Sequence, residues 1–252
     1  MPARTYRRIF LTGASTGLGR ALAEAYAGPG VTFGLVARNA ERLEELGALL
    51  DQRGCRAIRL AADVRDAAQM RRAAQAFCAQ AGGADLVIAN AGISEPDRLL
   101  ACDPAQAADI IQTNVQGVLY TLLPFVPPMV SGGGGHLVAI GSVAGFRGLP
   151  GKGAYCASKA AVKTLMDAYR PTLRRHGIRV TTIEPGFIAT ELTAKNRHPM
   201  PFLMPADKAA RLIQRAIARG AANYVLPWQM RLVIPFLVRV PDVFLPASDR
   251  RA

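Results

Sequence analysis

One rhythm constrains this chain more than any other feature. Short, mostly apolar runs alternate with longer segments of helical period from residue 9 to residue 226. The runs fall at 9–11, 31–37, 55–60, 86–89, 137–140, 179–183 and 224–226. They do not alternate polar with apolar, as a strand with one wet face would, so both faces of the sheet they form are expected to be buried. The segments between them, 19–26, 40–52, 67–79, 105–123, 154–176 and 206–219, read as helices. Strand, helix, strand in repetition predicts an α/β fold, a doubly wound parallel sheet covered on both sides. Asn39 and Asp66 stand where helix N-caps belong, and Pro104 where a first helical residue is tolerated. The glycines at 132–135 read as a flexible surface turn before the fifth strand. There is no internal repeat. The expectation is a single domain, 1–226, followed by an apolar and basic tail, 227–252.

Length and composition agree. The 252 residues are half hydrophobic, enough for a full α/β core and too apolar for a disordered chain. The net charge of +13 invites a nucleic-acid reading. Its distribution argues against one: the cations are mostly arginine, scattered from Arg4 to Arg251, and cluster only in pairs such as Arg7-Arg8 and Arg174-Arg175. At 6% the aromatics are too few to make a base-stacking platform. A solvated basic surface, hospitable to an anionic ligand, is the reading we adopt. Cys55, Cys78, Cys102 and Cys156 form no C-x-x-C pair, and His136, His176 and His198 lie far apart, so no metal site is expected and the thiols read as reduced. The first eight residues lack an apolar secretory core, and no run of ~20 apolar residues is present. A cytoplasmic location is the expectation.

The first strand runs into Thr12-Gly13-Ala14-Ser15-Thr16-Gly17-Leu18-Gly19, which opens the first helix. Gly13 permits a tight turn, Gly17 lets backbone approach a pyrophosphate, and Gly19 lets the helix lie close to the sheet. Free N–H groups and the positive end of the helix dipole then face the phosphates. The second strand bears on which dinucleotide. A carboxylate usually follows the glycines by ~20 residues to hold a ribose 2′-hydroxyl. Here the strand ends in Ala37-Arg38-Asn39, with no acid before Glu41. Arg38, with the hydroxyls of Ser15 and Thr16 nearby, suits a 2′-phosphate, so NADP(H) is expected over NAD(H).

Tyr155 and Lys159 stand four apart at the start of a predicted helix and share a face. An adjacent ammonium is expected to lower the phenol pKa, which makes the pair a proton donor and acceptor for an alcohol/ketone couple. Ser142 follows the fifth strand, at the sheet edge where open α/β folds bind ligands.

With these residues in place the sequence resembles the short-chain dehydrogenase/reductase family in its roughly 250-residue form, over nearly the whole chain. The resemblance rests on the order and spacing of Thr12 to Gly19, Asp63-Val64, Asn90-Ala91-Gly92, Asn114, Ser142, Tyr155-x-x-x-Lys159 and Pro185-Gly186 with Thr190. It implies a Rossmann fold of seven strands in the order 3-2-1-4-5-6-7. It implies that Tyr155 is the general acid/base, that Lys159 lowers its pKa and holds the nicotinamide ribose, and that Ser142 polarises the substrate oxygen. Asn114 would stabilise its helix and keep a water in a proton relay through Lys159. Asp63 would face the adenine, Val64 beside it would belong to the cofactor site, and Asn90, Ala91 and Gly92 would line the cofactor pocket. Pro185, Gly186, Ile188 and Thr190 would surround the nicotinamide. Two positions depart from the family pattern: Ala89 replaces a second asparagine, and Glu184, an acid without an evident partner, precedes Pro185.

Substrate choice is expected to lie in residues 143–153, in a lid at 187–205, and in the tail. Phe146, Phe187 and the apolar stretch at 200–204 favour an apolar substrate. The tail segment 228–240, WQMRLVIPFLVRV, is too short to span a bilayer, and Pro235 is expected to kink it. It reads as a wall over the pocket or a subunit contact, in preference to an interfacial membrane anchor. The resemblance implies homodimers or homotetramers built through the helices holding Asn114 and Tyr155. The expected activity is that of an NADPH-dependent carbonyl reductase, or the same enzyme run as an alcohol dehydrogenase. The alternative is a non-catalytic NADP(H)-binding sensor or scaffold on the same fold.

Overall fold

A computed structural model describes residues 4–97, 104–194, 196 and 199–241. Cys102, His198 and the tail from 242 onward lie outside the described residues. The first half runs β1 (Arg8–Thr12), α1 (Gly17–Tyr26), β2 (Thr32–Ala37), α2 (Ala40–Gln52), β3 (Arg56–Ala61), α3 (Ala67–Ala81) and β4 (Leu86–Ala89). Both predicted caps are made: Asn39 accepts from the Arg42 amide at 2.8 Å, and one Asp66 oxygen accepts from the amides of Ala68 and Gln69.

The helix expected at 105–123 is longer and broken. It comprises α4 (Pro104–Ile111), a π-helical turn (Gln112–Gln116), α5 (Gly117–Leu122), a 3₁₀ turn (Leu123–Phe125) and α6 (Val126–Ser131). Pro124, Pro127 and Pro128 lack the amide a regular helix needs, which accounts for the tightened geometry near its end. The glycine run is also corrected. Gly133 and Gly134 make the turn with φ of 81° and 130°, but Gly135 already belongs to β5 (Gly135–Ile140). A Cβ there would lie 2.4 Å from Met129 Sδ, so packing rather than turning demands that glycine.

The second half holds a 3₁₀ turn (Val143–Phe146), α7 (Gly153–Arg174) and β6 (Ile178–Pro185). The lid region follows, with β7 (Ile188–Ala189), α8 (Glu191–Ala194) and β8 (Met204–Pro205), then α9 (Ala206–Ala218), β9 (Asn223–Leu226) and α10 (Met230–Arg239). The main sheet is parallel and seven-stranded, in the order β3-β2-β1-β4-β5-β6-β9. This is the expected order, with β9 as seventh strand because β7 and β8 pair separately in the lid.

Successive residues of β1 enter opposite cores, as burial of both faces requires. Ile9 and Leu11 join Leu22, Leu43, Leu46 and Ile213 on the side of α1, α2 and α9. Phe10 turns the other way, its ring 4.7 Å from Phe125 and 5.5 Å from Phe77 between centroids. Gly34 in β2 lies beneath this aromatic group, where a Cβ would come within 2.6 Å of the Phe77 ring. At the amino end of the sheet, Asp85 accepts from Arg8 Nε and Nη2 and from the amides of Arg7 and Arg8. Buried His136 bridges the Tyr6 hydroxyl at 2.6 Å and Thr181 Oγ1 at 2.8 Å.

Candidate active site

At the opposite, carboxyl edge the glycine turn joins β1 to α1. Gly13 and Gly17 have φ of 63° and 51°, a region that favours glycine. A Cβ on Gly19 would fall 1.9 Å from the Gly13 carbonyl oxygen, so α1 can approach its own turn only without a side chain. Asn90 Nδ2 fastens the turn by donating to the carbonyls of Thr12 and Gly13, both at 3.1 Å. Above it opens a cleft of ≈ 490 Å³. Of the residues singled out from sequence, Gly13, Ser15, Thr16, Arg38, Asp63, Val64, Ala91 and Gly92 line it. Leu18 instead packs, half-buried, against the hydrophobic core, and Gly17 faces Thr190.

Sequence reasoning missed Arg42, which joins Arg38 at the cleft and pairs with Glu191 of α8 at 3.2 Å. Two arginines four apart, Arg38 between β2 and α2 and Arg42 in the first turn of α2, were a signal available in the sequence. Asp63 is gripped by Arg65, whose side-chain hydrogen bonds hold its carboxyl below the usual range, with a smaller contribution from Arg38.

Ser142 stands just beyond β5. Its Oγ accepts from the Ala144 amide at 3.1 Å, opening the 3₁₀ turn, and donates to the Pro185 carbonyl at 3.4 Å. α7 brings Tyr155 and Lys159 to the same edge, one helical turn apart. The start of that helix is held by a residue the sequence reading passed over: Asp97 accepts from the amides of Gly153 and Ala154. Its signal was weak, because a lone acid in a loop does not reveal which helix it caps.

Lys159 is buried, and its Nζ donates to the Ile140 carbonyl at 2.9 Å while lying 5.8 Å from the Tyr155 ring centroid. Burial pushes its pKa down to about 8. The expected lowering of the Tyr155 pKa is corrected here. Burial raises it, and the Ser142 hydrogen bond opposes that rise without cancelling it. Desolvation of the phenolate sets the direction and the Cys156 thiol adds to it, while the Lys159 ammonium is turned towards the Ile140 carbonyl.

Asn114 sits in the π-helical turn, fully buried. Its Oδ1 accepts from the Ile93 amide at 2.8 Å, and its Nδ2 donates to the Ile93 carbonyl at 2.9 Å and to Ser158 Oγ at 3.0 Å. Ser158 donates onward to the Tyr155 carbonyl at 2.7 Å. The structure therefore brings Asn114, Ser142, Tyr155 and Lys159 to one edge, beside Gly92, whose Cβ would lie 3.4 Å from Lys159 Nζ. Glu184 lies behind them on β6. It is buried, its Oε1 has no hydrogen-bond partner among the described residues, and burial pushes its pKa up to about 7.

On the outer side, Phe146 packs under Lys163, whose Nζ is 5.9 Å from the ring centroid. Phe187 is half-buried and accepts through its carbonyl from the Met204 amide, where the lid pairs. α10 runs as one helix with Pro235 inside it. One of its faces meets the site: Met230 Cγ is 3.2 Å from the Cβ position of Gly186, and Arg147 Nη1 donates to the Leu237 carbonyl at 2.6 Å. Among the described residues no cluster of His, Cys, Asp and Glu could hold a metal ion.

The short chain dehydrogenase family model matches residues 7–201. An uncharacterised oxidoreductase of Myxococcus xanthus is 41% identical over all of this chain and 99% of its own length. A short chain dehydrogenase/reductase of Burkholderia phymatum, solved in complex with NAD, superposes with a TM-score of 0.87 at 24% identity, covering both chains completely. L-sorbose reductase of Gluconobacter frateurii, solved with NADPH and L-sorbose, gives 0.80 at 24% identity, covering 90% of this chain and 97% of its own. At that identity the two solved structures speak to the fold, and both hold a nicotinamide cofactor. The family match and the full-length relative together carry the conclusion: the chain belongs to the short-chain dehydrogenase/reductase family of oxidoreductases.

Proposed function

We propose that the chain interconverts a carbonyl and a secondary alcohol on an apolar substrate, with NADP(H) as the preferred cofactor. The observation that carries the chemistry is the placement of the Ser142 hydroxyl, the Tyr155 phenol and the buried Lys159 ammonium at one sheet edge beside the glycine turn. The cleft fits a phosphate-bearing nucleotide. Its floor is bare backbone where a Cβ would clash or strain, and Ser15 and Thr16 supply hydroxyls. Arg38 and Arg42 supply positive charge where other dinucleotide sites place an acid. Gly13, Gly17 and Gly19 would receive the pyrophosphate, Arg38 and Arg42 the 2′-phosphate, and Asp63, with Val64 beside it in the cleft, the adenine. Asn90, Ala91 and Gly92 would line the middle of the cofactor pocket, and Pro185, Gly186, Ile188 and Thr190 the nicotinamide end.

The nicotinamide, when bound, supplies or accepts the hydride. Every other task falls to the chain. In reduction Tyr155 gives its proton to the substrate oxygen as the C–H bond forms, and Ser142 donates a hydrogen bond to that same oxygen. The phenolate left behind is stabilised by Lys159, whose ammonium prevails at neutral pH with a pKa of about 8. A phenol raised by burial suits the acid role: it holds its proton until the substrate oxygen gains charge. Asn114 positions Tyr155 through Ser158. Phe146, Phe187 and Met230 form the apolar wall. Assembly as a homodimer or homotetramer through α4 to α7 completes the reading.

The test is a panel of apolar ketones and secondary alcohols followed at the nicotinamide absorbance with both cofactors, for the parent and for Tyr155→Phe. NADPH-dependent turnover is expected, reduced about 10²–10⁴-fold by the substitution with cofactor affinity unchanged. Parent-level turnover by Tyr155→Phe would remove the phenol from the reaction.

A further inference from the structure

The two faces of α10 have opposite fates. Met230, Ile234 and Leu237, spaced by four and three, turn inward; the first two are buried and the third is tied by its carbonyl to Arg147. Trp228, in the turn that leads into α10, and Leu232 and Phe236 on the helix, each four apart, turn outward and are 65%, 60% and 74% exposed. Single exposed apolar residues are ordinary, but three large ones in a row along one face make a patch that needs a partner. Arg231 and Arg239 flank the row and are exposed, and residues 227–241 contain no acid. Arg231 rests over the Tyr224 ring at 5.7 Å, and Arg239 Nη1 folds back onto the Pro235 carbonyl.

Charge and side-chain pattern select the occupant. A protein partner would have to supply acids for both arginines. A short helix with tryptophan, leucine and phenylalanine on one face and arginines at its flanks matches instead the pattern that lies in the headgroup boundary of an anionic bilayer. Among the described residues no helix is long and apolar enough to cross a membrane, and the net charge of +13 favours approach to an anionic surface.

We propose that α10 docks flat on an anionic lipid surface, with Trp228, Leu232 and Phe236 at the acyl boundary and Arg231 and Arg239 on headgroup phosphates. Its inner face backs Gly186 and the turn after Ser142, so docking places the substrate wall directly behind the lipid surface. Delivery of an apolar substrate from the bilayer rests on the function proposed above; the docking itself does not.

Trp228 is the sole tryptophan of the chain, so its emission reports on this helix alone. The purified protein is mixed with phosphatidylcholine vesicles, with or without phosphatidylglycerol, and followed by co-sedimentation and tryptophan emission. The expected result is a blue shift and pelleting with the anionic vesicles only, both weakened by salt. Leu232→Glu combined with Phe236→Glu should lower the partition coefficient about a hundredfold or more, with an unchanged circular-dichroism melt because both side chains are exposed. No pelleting would overturn the proposal. So would pelleting without a blue shift, which would place the contact elsewhere on the basic surface. A lipid-free blue shift that grows with protein concentration and is lost in the double variant would assign the patch to a second copy of the chain and overturn it equally. Turnover of a soluble ketone without lipid tests the proposed function separately.

Discussion

Replacing Glu184 by glutamine keeps the shape of the side chain and removes only its ability to carry charge. The native carboxyl is buried where β6 faces α7. Burial pushes its pKa up to about 7 from 4.5; Lys163 and Arg170 pull it down and Asp167 pushes it up, all by less than burial does. Between those two pH values the folded chain keeps a proton that the unfolded chain has lost. Folding therefore carries no penalty from this group below pH 4.5, a growing one as pH rises, and the full penalty above about 7. At about 1.4 kcal/mol for each pH unit the penalty reaches about 3 kcal/mol. His136 works in the opposite direction. Burial lowers its pKa to about 3, so acid destabilises the fold as the unfolded chain takes up a proton that the folded chain refuses. An absolute stability profile mixes the two groups, whereas the difference between Glu184→Gln and the parent isolates the carboxyl. That difference should grow in favour of the variant by about 3 kcal/mol between pH 4.5 and about 8, or ~6–12 °C in Tm for a chain of this size. Scanning calorimetry of both proteins across that range measures it. A difference that stays flat would refute the reasoning, because the carboxyl would then be solvated or paired as well in the fold as outside it.

Arg38→Asp should weaken NADPH binding about ten- to a hundredfold while sparing or improving NADH, read by isothermal titration with each cofactor. Equal losses for the two would detach Arg38 from the 2′-phosphate. Gly19→Ala drives a methyl to 1.9 Å from the Gly13 oxygen and 2.6 Å from Asn90 Nδ2, so it should abolish nucleotide binding and lower stability by about 1–3 kcal/mol. Gly28→Ala, with no atom of the described residues within 4 Å of the new Cβ, is the matched control and should leave nucleotide affinity unchanged.

What the sequence made legible was whatever depends on residue type at a fixed spacing. The seven strands could be read because continuous apolar runs are a direct imprint of burial on both faces. The caps at Asn39 and Asp66 could be read because a short polar side chain there has one dominant use. The Tyr155, Lys159 and Ser142 grouping followed from spacing and strand position together. What could not be read depends on partners that carry no residue identity. The Ile140 carbonyl that draws the Lys159 ammonium is backbone, and every residue has one. The π-helical turn around Asn114 depends on where the Ile93 backbone arrives, and the clasp of Asp97 on α7 on a loop closure across more than fifty positions. The split character of α10 was hidden because apolar residues cover both of its faces, and only the packing tells which of them meet the domain.

The chain of hydrogen bonds from Ile93 through Asn114 and Ser158 to the Tyr155 carbonyl works as a truss. Its end members are backbone and its links are two side chains set deep in the domain, so the position of the phenol is inherited from the frame. Phe146 and Met230, which the proposed function sets beside the substrate, take no part in it. On that proposal, chemistry and selectivity are assigned to separate sets of atoms. The wall can be rebuilt, widened or recharged through drift or design while the reacting edge keeps its dimensions.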